Sequence, residues 1–265
     1  MRSMDRKIIG GLISGVGLLL FMARALRGKE VNGRHYRVDA RRSAAFSLVC
    51  FAADIWAIPA ILRAKPAITA QELNAADPAR VPFYNRAALR QDFSKRDHYR
   101  KTSDNVLRGI IAICTLMLMK SRDRRTLFLL FTEAQAAAYT YYSYAPVGPA
   151  FQDKYRPVVY YKNEPEETRN AGNNRNSRYS GHTGNAAAAS FFMAAVYNEY
   201  HPQMSVAGKL GVYLLAVLPP ALLGYLRMRA LKHFPTDVLM AIGIGGAFGM
   251  AVPGLHRASG SNTPK

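Results

Sequence analysis

Cysteine and acidic residues are both scarce in this chain of 265 residues. Its two cysteines, Cys50 and Cys114, lie inside apolar runs, so we expect neither a disulfide framework nor a cysteine metal cluster. Only 17 Asp and Glu accompany 36 Lys and Arg, which gives a formal net charge of +19. In a soluble protein such a charge would indicate nucleic acid. Here the basic residues lie between apolar runs, so we expect anionic lipid headgroups and no nucleic acid.

Apolar runs of low charge recur along the whole chain. They cover residues 8–23, 43–62, 105–119, 126–145, 184–198, 208–226 and 238–254. A helix needs about 20 residues to cross roughly 30 Å of hydrocarbon, so several runs are short for a lone span. Their Gly, Ala and Ser residues permit close packing between helices. The pattern predicts an all-α fold, a polytopic membrane helix bundle with about six core transmembrane helices.

The polar segments suggest how the chain is organised. Residues 1–42 combine an apolar segment with a basic linker, and the run at 8–23 is either an extra helix or a signal peptide. Residues 43–254 are predicted to form one membrane domain, followed by a tail at 255–265. Within that domain, residues 63–104 are polar and contain three prolines, which predicts a cap or an interfacial segment.

A short basic turn sets the expected orientation. Residues 120–125 read KSRDRR, and short basic loops favour the cytoplasmic side of a membrane. The loop at 146–183 and the turn at 227–236 then lie on the outer side. Residues 63–104 also fall outside in this topology, although their many arginines oppose that placement.

Two arginines and a helix start on the outer side are suited to binding phosphate. Arg156 and Arg227 carry planar guanidinium groups that match phosphate oxygens in bidentate geometry. Ser180 and Gly181 precede the fifth apolar run, and amides at a helix N-terminus attract anions. The basic neighbour Lys154 lies two residues before Arg156.

Two histidines and an aspartate on the same side could supply the chemistry. Asp237 follows His233 by four residues, so we expect its carboxylate to accept a hydrogen bond from one imidazole nitrogen. The other nitrogen of His233 would then be free to attack phosphorus. His182 is a second imidazole, available as an acid for the leaving oxygen.

The same residues leave two other chemistries open. A serine-hydrolase triad could use Ser180, a histidine and Asp237, but no G-x-S-x-G motif is present. A zinc site could use His182, His233 and Asp237, but no H-E-x-x-H motif supports it. We therefore expect no metal and no cofactor.

Over residues 145–254 the chain resembles the type 2 phosphatidic acid phosphatase family, which includes the vanadium haloperoxidases. That family carries the motifs K-x6-R-P, P-S-G-H and S-R-x5-H-x3-D. The matching residues here are Arg156-Pro157, Ser180-Gly181-His182, and Arg227 with His233 and Asp237. The departures are Pro149 in place of the first lysine, Tyr179 in place of proline and Leu226 in place of serine. Lys154, or a basic residue from 63–104, is a candidate replacement for that lysine.

The resemblance implies a metal-independent reaction on a phosphorylated lipid. His233 would form a phosphohistidine, Asp237 would orient it, and His182 would protonate the departing alcohol. The phosphate oxygens would be held by Arg156, Arg227, Lys154 and the amides of Ser180 and Gly181.

The resemblance also suggests a place and a class of substrate. The expected substrate is lipid A, undecaprenyl diphosphate or phosphatidylglycerophosphate, at the periplasmic face of a bacterial inner membrane, with no obligate protein partner. A lipid phosphotransferase and a catalytically weak lipid-binding member remain alternatives. A haloperoxidase is disfavoured, because those enzymes are soluble.

Overall fold

The computed structural model describes residues 30–33 and 35–258. The apolar run at 8–23 and the end of the predicted tail, residues 259–265, lie outside the described residues. A two-stranded antiparallel hairpin, β1 (Glu30–Asn32) and β2 (Arg37–Asp39), precedes the helices. The α-helices are α1 (Ala40–Ala64), α2 (Ala70–Ala75), α3 (Arg96–Met119), α4 (Arg124–Tyr144), α5 (Glu166–Arg169), α6 (Gly181–Tyr200), α7 (Val206–Ala216), α8 (Leu218–Arg229) and α9 (Pro235–Leu255). The prediction of an all-α fold is confirmed.

The long helices pack side by side into a bundle, with α6 against α9 at its centre. Glycines on α9 allow these two backbones to approach closely. A Cβ on Gly249 would lie 2.5 Å from the carbonyl oxygen of Ala188, and one on Gly245 would overlap the carbonyl of Gly184. Small residues at a helix contact are the device expected for a bundle in lipid, where packing drives association.

Four helical stretches are long and apolar enough to cross a membrane. They are Ala40–Ile61, Phe93–Met119, Val206–Arg229 and Pro235–Leu255. Large apolar side chains on them face outward; Ile55 and Trp56 are 76% and 74% exposed. Lipid is the environment that suits such surfaces, so the chain is a membrane protein.

Helices α4 and α6 complete the bundle. They are long enough to cross a membrane but are less apolar than the four stretches above. Both are largely buried against other helices. An interior helix contacts protein instead of lipid, so it can carry polar residues such as Thr132 and Ser190, which are buried. The expected six helices therefore correspond to six helical rods, with α7 and α8 forming one rod.

The two ends of the bundle differ in character. At one end, which holds the basic turn, Tyr200 bonds to Asp123 and Arg257 pairs with Glu199 at 2.8 Å. At the other end, the starts of α6 and α9 meet the ends of α4 and α8. We call this second end the polar end. The motif residues lie there, on the opposite side from the basic turn, as the topology predicted.

A cap formed by residues 65–95 covers the polar end. It contains α2 and the short 3-10 turns Pro78–Arg80, Phe83–Leu89 and Phe93–Lys95. Residues 96–104 of the predicted polar segment form the first turns of α3, which begins at Arg96. Its first turns are polar, so hydropathy marked only the later, lipid-facing part of the helix.

An ion pair attaches the cap to the loop before α6. Arg175 lies 2.7 Å from both carboxylate oxygens of Glu72, and its Nε donates to the carbonyl of Pro66 at 3.1 Å. Hydrogen bonding from Arg175, with help from the Thr69 backbone, lowers the pKa of Glu72 to about 2. The carboxylate therefore stays charged under mildly acidic conditions, and the attachment persists.

A second attachment joins the cap to the start of α9. The Oδ1 atom of Asn85, a buried side chain of the cap, accepts from the backbone N of Thr236 at 3.2 Å and from its Oγ1 at 3.1 Å. The first amides of a helix have no intrahelical acceptor. Asn85 therefore caps α9 from a distant part of the sequence.

We expect Asn85→Ala to lower stability by about 1 kcal/mol, the usual cost of losing a cap. The cap should also become more sensitive to proteolysis in detergent micelles. Thermal unfolding and limited proteolysis measure the two effects. The matched control is Asn74→Ala, since Asn74 is exposed and its side chain makes no hydrogen bond in the described residues. Equal behaviour of the two variants would contradict this role for Asn85.

Candidate active site

A strained turn between α8 and α9 carries the central histidine. Leu231 has a φ of 58°, the only positive φ at a non-glycine position among the described residues. Such a conformation costs about 1–3 kcal/mol and persists only where the surroundings enforce it. Here Leu231 is fully buried against Ile68, Leu73 and Val159. The cap and the loop thus hold the turn that presents Lys232 and His233.

The imidazole of His233 is buried and has a defined tautomer. Its Nδ1 lies 2.7 Å from the backbone oxygen of Ser177. A carbonyl oxygen only accepts hydrogen bonds, so Nδ1 carries the proton. The lone pair then resides on Nε2, which has no hydrogen-bond partner in the described part of the chain. Burial, followed by the charges of Arg227 and Arg156, holds the pKa of His233 well below its usual value, so the ring is neutral at neutral pH.

Asp237 does not contact His233 directly, contrary to the prediction. Its carboxylate accepts from Lys154 Nζ at 2.6 Å, Ser177 Oγ at 2.7 Å and Phe234 N at 3.0 Å. Asp237 lies in the first turn of α9, so its side chain folds back onto the start of that helix. Its link to His233 runs through Ser177, whose hydroxyl donates to Asp237 while its carbonyl accepts from the imidazole.

Lys154, a predicted phosphate ligand, is already engaged by this carboxylate. Besides the 2.6 Å ion pair with Asp237, its ammonium lies 3.4 Å from Thr236 Oγ1 and 5.0 Å from the centre of the Phe234 ring. To bind a phosphate, this ammonium would have to leave the buried carboxylate that it already neutralises. Lys154 therefore supports Asp237.

Arg156 and Arg227 are both buried, each 6% exposed, and both have unused donors. Arg156 donates from Nε to the Asn176 carbonyl at 3.3 Å, and no described residue accepts from its terminal nitrogens. Arg227 donates from Nη1 to Ser103 at 3.1 Å and to Asp104 at 3.4 Å, while its buried Nε has no hydrogen-bond partner among the described residues. Buried charge without enough acceptors is costly, and a bound anion would supply them.

His182 is paired with a carboxylate that the sequence motifs did not indicate. Its Nε2 lies 3.0 Å from Oδ1 of Asp104 on α3, the same oxygen that Arg227 contacts. A carboxylate accepts hydrogen bonds, so Nε2 carries a proton and Nδ1 is the nitrogen left for proton exchange. Burial lowers the pKa of His182, and the hydrogen bond to Asp104 opposes that shift by stabilising the protonated ring.

Two amides at the start of α6 are free among the described residues, those of Gly181 and His182. The prediction named Ser180 and Gly181. The amide of Ser180 donates to the Asp237 backbone oxygen at 3.3 Å, and its hydroxyl pairs with Thr183 Oγ1 at 2.9 Å. Ser180 is thus occupied, whereas the amides of Gly181 and His182 have no acceptor in the described residues. Gly181 also packs on the ring of Tyr142, 3.0 Å from where a Cβ would lie.

The two other chemistries find little support in this arrangement. Among residues 30–33 and 35–258, no three His, Cys, Asp or Glu side chains are grouped to hold a metal. Asp237 faces Lys154, and Asp104 is the carboxylate near His182. The Ser180 hydroxyl contacts Thr183, so the structure forms no serine triad.

The family model of the PAP2 superfamily matches residues 126–260, about half of the chain. The chain belongs to the PAP2 superfamily. Searches of curated proteins and of solved structures found no match. Membership supports a phosphatase-type activity on phosphate esters.

The PAP2 match covers α4 to α9 with the intervening loops, and therefore all three motifs. Asp104 lies before the matched segment, on α3. Only folding brings it to His182, 78 residues later. The acidic side chain just before the third apolar run was the one sign of it in the sequence. Ser177 also lies outside the motifs, and no pattern marked it.

We expect Lys154→Met and Asp237→Asn to be coupled in a double-mutant cycle. Lys154→Met leaves a buried carboxylate without its counter-ion, at a cost of about 3 kcal/mol or more. Adding Asp237→Asn should restore part of that stability, because the uncompensated charge is removed. Thermal unfolding of the four proteins in one detergent measures the coupling. Strictly additive effects would show that the pair contributes nothing.

Proposed function

We propose that this PAP2 protein is a membrane lipid phosphate phosphatase that works through a phosphohistidine on His233. The observation that carries the proposal is a neutral imidazole with a free Nε2, buried beside two guanidinium groups with unused donors. A tetrahedral anion bound to Arg156 and Arg227 would satisfy those donors. It would also bring phosphorus next to the nucleophile.

In the first step, Nε2 of His233 attacks phosphorus and the bond from phosphorus to the lipid oxygen breaks. His182 enters this step as the imidazolium and gives its Nδ1 proton to the departing oxygen, while Asp104 accepts from its Nε2. Arg156, Arg227 and the amides of Gly181 and His182 stabilise the charge on the equatorial oxygens.

In the second step, His182 takes a proton from water, and the resulting hydroxide displaces the phosphoryl group from His233. Phosphate leaves, and both imidazoles return to their starting forms. Asp237 and Ser177 keep Nδ1 of His233 as the donor throughout, because the Ser177 carbonyl can only accept.

A lipid substrate fits the location of the site. The site lies at the end of a bundle with four apolar spans, where a headgroup can enter while its chains stay in the membrane. Basic residues at the start of α3, Arg96, Arg100 and Lys101, add positive charge at the polar end. Lipid A, undecaprenyl diphosphate and phosphatidylglycerophosphate are the proposed substrates, at the periplasmic face of a bacterial inner membrane.

We expect His233→Ala to reduce lipid phosphate hydrolysis by more than about 10³-fold, since it removes the nucleophile. The wild-type activity should survive EDTA. Release of inorganic phosphate from each candidate lipid, in mixed micelles, measures both. His201→Ala is the matched control, because among the described residues that imidazole bonds to the Tyr197 carbonyl and stacks on the Tyr197 ring, away from the site.

The outcomes separate the alternatives. Loss of activity in EDTA together with retained turnover in His233→Ala would contradict the mechanism. A phosphorylated acceptor lipid in place of free phosphate would identify a phosphotransferase that uses the same site. Lipid binding without turnover of any candidate would indicate a catalytically weak member.

A further inference from the structure

Positive charge accumulates around the site beyond what the two motif arginines supply. Lys232, the residue before His233, lies within electrostatic reach of Arg156, Arg227 and Arg100. Asp97 is the acidic group that acts on it from α3. Four cations face two carboxylates here, Asp97 and the Asp104 that contacts Arg227, and the remaining positive charge favours a bound anion.

The ammonium of Lys232 makes no hydrogen bond or ion pair with any described residue. The only contact recorded for this residue is its backbone amide, which donates to the Arg227 carbonyl at 3.1 Å. Lys232 is partly buried, next to the strained Leu231 that fixes the turn.

The family's first motif places a lysine where this chain cannot have one. Pro149 is buried in the turn that follows α4, and Lys154 is held by Asp237. The site thus keeps both motif arginines but lacks the motif's ammonium. Lys232 is the unpaired ammonium next to those arginines in the part of the chain that the structure describes.

We propose that Lys232 supplies the third cation of the phosphate-binding site, in place of the lysine missing at position 149. The inference rests on the proposed function, and it names a ligand that none of the motifs contains. The ammonium would donate to one equatorial oxygen of the phosphoryl group. It would come from the turn before α9, whereas the amides come from the start of α6.

The environment of Lys232 adds a pH dependence. Burial, followed by the charges of Arg156, Arg227 and Arg100, lowers the pKa of Lys232 to about 7, while Asp97 opposes the shift. Above about pH 7 the empty site therefore holds mostly neutral amine. A bound phosphate dianion favours the ammonium, so binding should be accompanied by proton uptake.

Orthovanadate is a suitable probe, because it mimics phosphate and its binding can be measured without turnover. The full-length protein in detergent is compared with Lys232→Met, Lys232→Arg and the control Lys120→Met, whose lysine is exposed at the opposite end of the bundle. Lys232→Met should weaken vanadate binding and reduce kcat/KM by about 10²-fold, the typical effect of one lost oxyanion donor. Lys232→Arg should retain most of both, and Lys120→Met should match wild type.

Proton uptake gives a readout that a merely structural role would not change. Calorimetry near pH 8, in two buffers of different ionisation enthalpy, measures the protons taken up when vanadate binds. Wild type should take up more than Lys232→Arg, since arginine is always charged. The other titratable groups at this end, which are present in every variant, are His182, His233, Asp97, Asp104 and Asp237. Their contribution therefore cancels in the comparison.

The results distinguish this inference from the proposed function. Wild-type vanadate affinity in Lys232→Met, or equal proton uptake in wild type and Lys232→Arg, would overturn the role of Lys232 and leave the phosphatase proposal standing. Absence of turnover in wild type, with vanadate binding that still depends on Lys232, would overturn the phosphatase proposal and leave the role of Lys232 standing. If Lys232→Met does not fold, the proton uptake of wild type and Lys232→Arg still tests the role of Lys232.

Discussion

The buried carboxylate of Asp237 is the point on which the polar end of the bundle depends. It binds Lys154 and Ser177 from the loop before α6 and the amide that begins α9. Its backbone oxygen accepts from Ser180, where α6 starts. One residue therefore fixes two helix starts and the loop between the motifs. His233 is placed as a consequence, since the Ser177 carbonyl that orients its ring belongs to the same loop.

The second constraint is positive charge that the protein leaves uncompensated. In the part of the chain that the structure describes, the buried Arg156 and Arg227 keep donors without acceptors, and the nearby Lys232 ammonium has no hydrogen bond or ion pair. Burial, followed by these same charges, holds the pKa of His233 well below its usual value and keeps its ring neutral. In the proposed mechanism, the charges that bind the phosphoryl group therefore also favour the neutral form of the nucleophile.

The sequence predicted the parts of the site that depend on spacing along one element. Arg227, His233 and Asp237 follow a fixed spacing around a single turn, and the α6 start follows from its cap and glycine. Side-chain directions were not predictable, because Asp237 could fold toward His233 or toward Phe234 and Lys154. Contacts between distant segments were also missed. Asp104 meets His182, and Asn85 meets Thr236, only through the packing of α3 and the cap.

Hydropathy predicted both the lipid-facing helices and the interior ones, but not all of their boundaries. The start of α3 at Arg96 was placed too late, because its first turns face the cap and the site. Helices α4 and α6 are interior, so their amino acids are selected for close packing more than for hydropathy. The family match adds what neither composition nor periodicity could supply, the class of reaction expected at this set of residues.

The linkage of the phosphoryl group on the enzyme tests the central claim most directly. Rapid acid-free quenching of the protein during turnover of a labelled lipid phosphate, followed by peptide mapping, identifies the modified atom. The account predicts an alkali-stable phosphohistidine at His233, linked through Nε2, because Nδ1 is committed to the Ser177 carbonyl. Phosphate on Nδ1 of His233, or on any other residue, would contradict it.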